Sequence, residues 1–67
     1  MEWEDKPEIE DIIDDLSKIG DVGQRLIEAT NDAKTVAEFK RTLLDAITKE
    51  KVKLAKIVRK VKALKED

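Results

Sequence analysis

The chain has 67 residues, a net charge of −2, 45% charged and 40% apolar residues, and neither cysteine nor histidine. These counts exclude disulfides and leave the common zinc, haem and iron–sulfur ligand sets without donors. A chain of this length buries only about 60% of the surface it exposes when unfolded, so association or very regular packing has to complete its core.

The opening Met1-Glu2-Trp3-Glu4-Asp5 is acidic where a secretory leader is basic, and no apolar run exceeds two residues, so neither leader nor bilayer span is expected. Lack of cysteine fits a reducing compartment, and the expected location is cytoplasmic. Trp3 stands just outside the first helix, where it is expected to fold back on the first turn as a hydrophobic staple.

The first element is predicted over about residues 6–19. Asp5-x-x-Glu8 has the form of a capping box, and Pro7 is tolerated where first-turn amides have no helical partner. Ile9, Ile12, Ile13, Leu16 and Ile19 then follow the spacing of one buried helical face. Gly20 is placed to end this helix in a left-handed conformation. The second helix is predicted over about 22–31, opened by Asp21-x-x-Gln24, with Val22, Leu26, Ile27 and Ala29 inward and Gly23 as a weak point. Asn31-Asp32-Ala33-Lys34 reads as a turn.

A third box, Thr35-x-x-Glu38, opens the last predicted helix, over about 36–65, which no glycine or proline interrupts. Val36, Leu43, Ile57 and Leu64 recur at intervals of seven, with Ile47, Leu54 and Val61 as the companion set and Phe39, Leu44, Ala46 and Val58 beside them. That is a heptad seam. Three residues break it: Lys40 and Glu50 occupy seam positions, and Val52 points to the polar side.

A helix of about 30 residues spans roughly 45 Å, against about 20 Å and 15 Å for its two predecessors. The two short helices therefore lie end to end along the long one, the second against its start and the first against its C-terminal half. Charge agrees: residues 1–20 carry net −6 and residues 49–67 net +5. The expected fold is all-α, two short helices followed by one long C-terminal helix. It forms a single-domain (1–67) antiparallel hairpin or bundle completed by dimerisation, because one apolar face is left over.

No catalytic set emerges. Glu8, Glu10, Asp11, Asp14 and Asp15 read as a solvated or salt-bridging face, with Asp14 and Lys18 as an i,i+4 pair. The hydroxyl side chains have no histidine or cysteine beside them, and Gly20-Asp21-Val22-Gly23 is too short to cradle a phosphate. No enzyme activity, cofactor or small-molecule substrate is expected. A helix-turn-helix across residues 29–36 is disfavoured, since Val36-Ala37-Glu38-Phe39 is apolar and acidic where base-reading residues belong.

The expected function is a non-enzymatic protein–protein interaction or assembly module, a homodimer or the partner of another helical protein. The expected interface is Leu43, Leu44, Ile47, Leu54, Ile57, Val58, Val61 and Leu64. The alternative is a nucleic-acid-binding accessory protein contacting phosphates through Lys53, Lys56, Arg59, Lys60 and Lys62. Membrane binding is disfavoured because the basic segment has no Trp or Phe to seat in the interface.

Overall fold

The computed structural model describes residues 6–65 and holds four helices: α1 (Pro7–Ser17), α2 (Asp21–Ala29), α3 (Val36–Glu50) and α4 (Ala55–Lys62). The protein is all-helical, with no strand among the described residues. Asp5 and Trp3, with the cap and staple expected of them, lie outside these residues.

The α1 stripe forms as its spacing requires. Ile9, Ile12 and Leu16 have no exposed surface, whereas Ile19, beyond the helix end, is 38% exposed and not part of the buried face. Gly20 does take a positive φ of 79°, but with ψ −143°, outside the left-handed helical region. It is the N-cap of α2, so Asp21 begins the helix instead of capping it and the expected second box does not form. Within α2, Leu26 is buried, Val22 and Ile27 are half-buried, and Ala29 is exposed.

Gly23 has a packing role that its low helix propensity conceals. A Cβ built there would stand 1.6 Å from the Leu16 carbonyl oxygen and 2.8 Å from Ile19 Cγ1. The end of α1 therefore crosses the first turn of α2 at a separation only glycine allows.

The third box is present. Thr35 Oγ1 accepts the Glu38 amide at 3.1 Å, and Glu38 Oε2 accepts the Lys34 amide at 2.8 Å, one residue before the cap. Val36, Phe39, Leu43 and Ile47 then point into the core.

The continuous helix over 36–65 does not exist. Helix α3 ends at Glu50, and Lys51 adopts a left-handed conformation (φ 56°, ψ 36°) with its amide donating to the Thr48 carbonyl at 3.1 Å. Along Lys51-Val52-Lys53-Leu54 the side chains alternate: the lysines are exposed, Val52 and Leu54 half-buried against the core. That is the period of two of an extended segment. A helix would have sent Val52 to solvent, whereas the extended turn covers the core edge with both apolar residues.

The other two misfits in the heptad have tertiary causes. Glu50 receives a forked pair of hydrogen bonds from Arg25 of α2, Nε at 3.3 Å and Nη2 at 3.2 Å. Lys40 sends its Nζ across to the Leu64 carbonyl at 3.2 Å, joining α3 to the C-terminal end of α4, where a cation also meets the negative end of the helix dipole.

Breaking the helix changes the architecture. Each helix packs on two others, in the ring α1–α2–α3–α4 and back to α1. The first helix thus pairs with α4 and the second with α3. All four faces close within one chain of 28 × 21 × 19 Å, too short in any direction for a helix of about 45 Å. Phe39, 1% exposed, is the largest side chain sealed inside.

Candidate interaction surface on the fourth helix

Two residues of α4, Ile57 and Val61, enter the core, and Leu64 beyond its end joins them. The intervening positions are therefore divided between a flank facing α1 and an outer face. Lys60 falls on the flank. Its ammonium donates to Asp11 Oδ2 at 2.7 Å and Asp15 Oδ2 at 2.6 Å, two carboxylates one helical turn apart on α1. Hydrogen bonding to Asp11 and then Asp15 holds the Lys60 amine above its ordinary value, and the bond from Lys60 holds the Asp15 carboxyl below the usual carboxylate range. Acidic first helix and basic last segment thus meet within one chain.

Lys56, Arg59 and Lys62 are exposed on the other side. They recur at intervals of three, so they form an inclined row on a face about 120° wide. With the exposed Lys53 in the preceding turn, they make no ion pair among the described residues. Residues 51–65 contain seven bases and no acid. The outer face of α4 is therefore of one sign, and Lys60, expected among the phosphate contacts, is engaged with α1 instead.

The expected apolar interface is largely internal. Leu43, Ile47, Ile57, Val61 and Leu64 are buried in the core, while Leu44, Leu54 and Val58 are half-buried at its edge. Among the described residues Ile19 is the one large apolar side chain that is exposed.

The acidic run on α1 divides likewise. Asp14 pairs with Lys18 at 3.0 Å, the expected i,i+4 contact, which raises the Lys18 amine above its ordinary value. Asp11 and Asp15 hold Lys60, and Glu8 and Glu10 stay exposed. Among the described residues no three acidic side chains converge to hold a metal ion. A notch of about 190 Å³, lined by Glu8, Asp11, Lys60, Ala63 and Leu64, lies where the start of α1 meets the end of α4. It is smaller than the sites that take small organic ligands, roughly 300 Å³ and above.

Ile57, Val61 and Leu64 face the core as the heptad requires, and Lys60 lies beside them on the flank that meets α1. Which flank of α4 the first helix covers is a tertiary fact that spacing along the chain does not carry. The helix break itself had a usable signal in the two-residue alternation over 51–54. No helix of the described residues is long and apolar enough to cross a membrane. Compared with protein-family models, curated proteins and solved structures, the chain matches none of them.

Proposed function

We propose that the chain is a non-enzymatic protein–protein interaction module whose working surface is the outer face of α4. One observation carries this reading. Lys56, Arg59 and Lys62 stand in a row of one sign and close no ion pair with a described residue, Lys56 acting on the Asp15 carboxyl only from a distance, while the apolar side of the same helix is used up in the core. What such a surface offers a partner is charge at fixed spacing on a rigid helix.

The test exploits the net charge of −2. A protein that is negative overall flows through a polyanionic resin at pH 7 unless one face acts as a separate site. On heparin at low salt the chain is expected to be retained, to elute as salt rises, and to flow through once substituted as K56Q, R59Q and K62Q together. Flow-through of the unsubstituted chain at low salt contradicts the reading.

Self-association is the second reading, and it must use the half-buried Leu44, Leu54 and Val58, since the rest of the expected interface faces inward. Sedimentation equilibrium separates the two. A mass of 7.7 kDa at every concentration leaves α4 as the surface, and a mass rising with concentration favours the dimer. Contact with nucleic acid, the alternative from the sequence, retains four of its five residues.

A further inference from the structure

We infer, resting on the reading of α4 above, that the element docking there is an acidic helix of a partner protein, its carboxylates spaced at three and four residues. The geometry of the row is the first support. Lys56, Arg59 and Lys62 follow one another at about 4.5 Å along the axis, and a second helix with glutamates at i, i+3 and i+7 presents its carboxylates at about 4.5 and 6 Å, a similar pitch. Two helices can therefore mate along their length, and Lys53 and Lys65, both exposed, add charge just outside the two ends of α4.

The neighbour of α4 is the second support. Helix α1 packs directly against it and exposes Glu8, Glu10 and Asp14. Packed helices lie about 8–10 Å apart, within the roughly 8–10 Å over which charges act at ordinary salt. A partner helix, about 10–12 Å across, sits on α4 without covering α1. A duplex is wider than a single helix and carries a charge about every 1.7 Å along its axis, so on a helix of 8 residues it brings more negative charge near the exposed carboxylates of α1 than a partner helix does.

Single-stranded nucleic acid meets a different obstacle. Its bases need aromatic side chains to stack on, and Phe39, the one aromatic among the described residues, is 1% exposed. Lipid is disfavoured as well: between its cations the outer face carries Ala55 and Ala63 and no large apolar residue to enter an acyl layer. The acidic helix is the polyanion that asks for none of these features. With almost no apolar area to bury, such a complex is weak, rapidly exchanging and salt-dependent.

The experiment is a titration of the full chain, 15N-labelled, with an alanine-rich peptide of about 15 residues, long enough to hold a helix, carrying glutamates at i, i+3 and i+7. The same peptide with glutamine for glutamate and a short DNA duplex of equal total charge serve as comparisons, each at about 20 mM and about 300 mM salt, where the Debye length is roughly 20 Å and 6 Å. The expected result is amide shifts confined to residues 53–65 with the glutamate peptide alone, and a tenfold or greater loss of affinity at the higher salt. K56Q, R59Q and K62Q together are expected to abolish the shifts while leaving the far-UV helicity nearly unchanged, because all three side chains are exposed and none is turned into an anion at the C-terminal end of the helix. The inference is overturned if the duplex binds more tightly than the peptide, if the shifts fall outside α4, or if the peptide does not bind. Retention on heparin without peptide binding removes the partner assignment alone; loss of both removes α4 as the working surface.

Discussion

The two halves of the molecule turn back on themselves by different means. Between α1 and α2 the chain uses its two glycines, and each answers a separate demand. Gly20 supplies a positive φ in open space, where an added Cβ would meet nothing within 4 Å, and Gly23 supplies space in an ordinary helical conformation. Between α3 and α4 the reversal occurs at Lys51, the one non-glycine residue with positive φ among those described, and neither glycine nor proline stands near it. Helix α4 likewise starts at Ala55, after an N-cap residue, Leu54, that makes no side-chain capping bond. The first turn is built from local preference. The second is imposed by what it permits: burial of Val52 and Leu54, the Arg25–Glu50 fork, and the reach of Lys40 to Leu64.

That contrast can be broken from either side. The largest effect is expected at the glycine crossing. Gly23→Ala gains helix propensity but drives a methyl group into the Leu16 carbonyl, so α1 and α2 must separate. The expected cost is on the order of 3 kcal/mol, at least about a third of the roughly 3–10 kcal/mol available to 67 residues. Urea denaturation measures it, and an unchanged midpoint would mean that the close crossing is not formed. Next in size, Thr35→Ala removes the acceptor of the Glu38 amide and is expected to cost about 1 kcal/mol in the same assay.

The second turn should respond in the opposite direction. Left-handed backbone costs a lysine about 1–2 kcal/mol, of which glycine returns part against its greater freedom when unfolded. Lys51→Gly is therefore expected to stabilise the protein by about 0.5–1 kcal/mol. Were residues 49–53 helical, the same change would destabilise by about 1 kcal/mol, so the sign alone decides.

The smallest effect lies in the pH profile. Because Asp15 titrates below its ordinary 3.8 in the folded chain, its contribution is complete well above that pH and is lost as the pH falls through the lowered folded value. Lys60 titrates above its ordinary 10.5, so its contribution is complete well below that pH and is lost as the pH rises through the raised folded value. Asp15→Asn should flatten the acid limb of stability against pH and leave the neutral plateau nearly level. Identical acid limbs would place the Lys60 bridge outside the solution structure.

The same contrast explains what could be read from the chain beforehand. The α1 stripe, the Thr35 cap and the pairing of the acidic first helix with the basic last segment follow from local spacing and charge, and the structure contains all three. The continuous last helix does not exist, because Leu43 and Ile57 keep a heptad interval across a turn of four residues that offers no cap, glycine or proline. Their spacing belongs to two helices meeting in one core. Lys40, Glu50 and Val52, which spoil the seam, are the residues that make or bridge the fold-back. On the surface, the basic character of residues 53–62 was legible from composition. That Lys60 turns to Asp11 and Asp15 was not, since it depends on which flank of α4 the first helix covers.

The fold-back at Lys51 can be measured directly within one chain. With no native cysteine, Arg41 and Lys65 can be replaced by cysteines, spin-labelled and measured by double electron–electron resonance, after confirming that the doubly substituted chain keeps its melting curve. Both positions are exposed, and they adjoin Lys40 and Leu64, whose contact is 3.2 Å. A distance distribution centred under about 25 Å is expected, since the molecule is 28 Å in its longest dimension. A distribution centred near 36 Å, the length of 24 residues at about 1.5 Å each, would restore the continuous helix and contradict the closed four-helix ring.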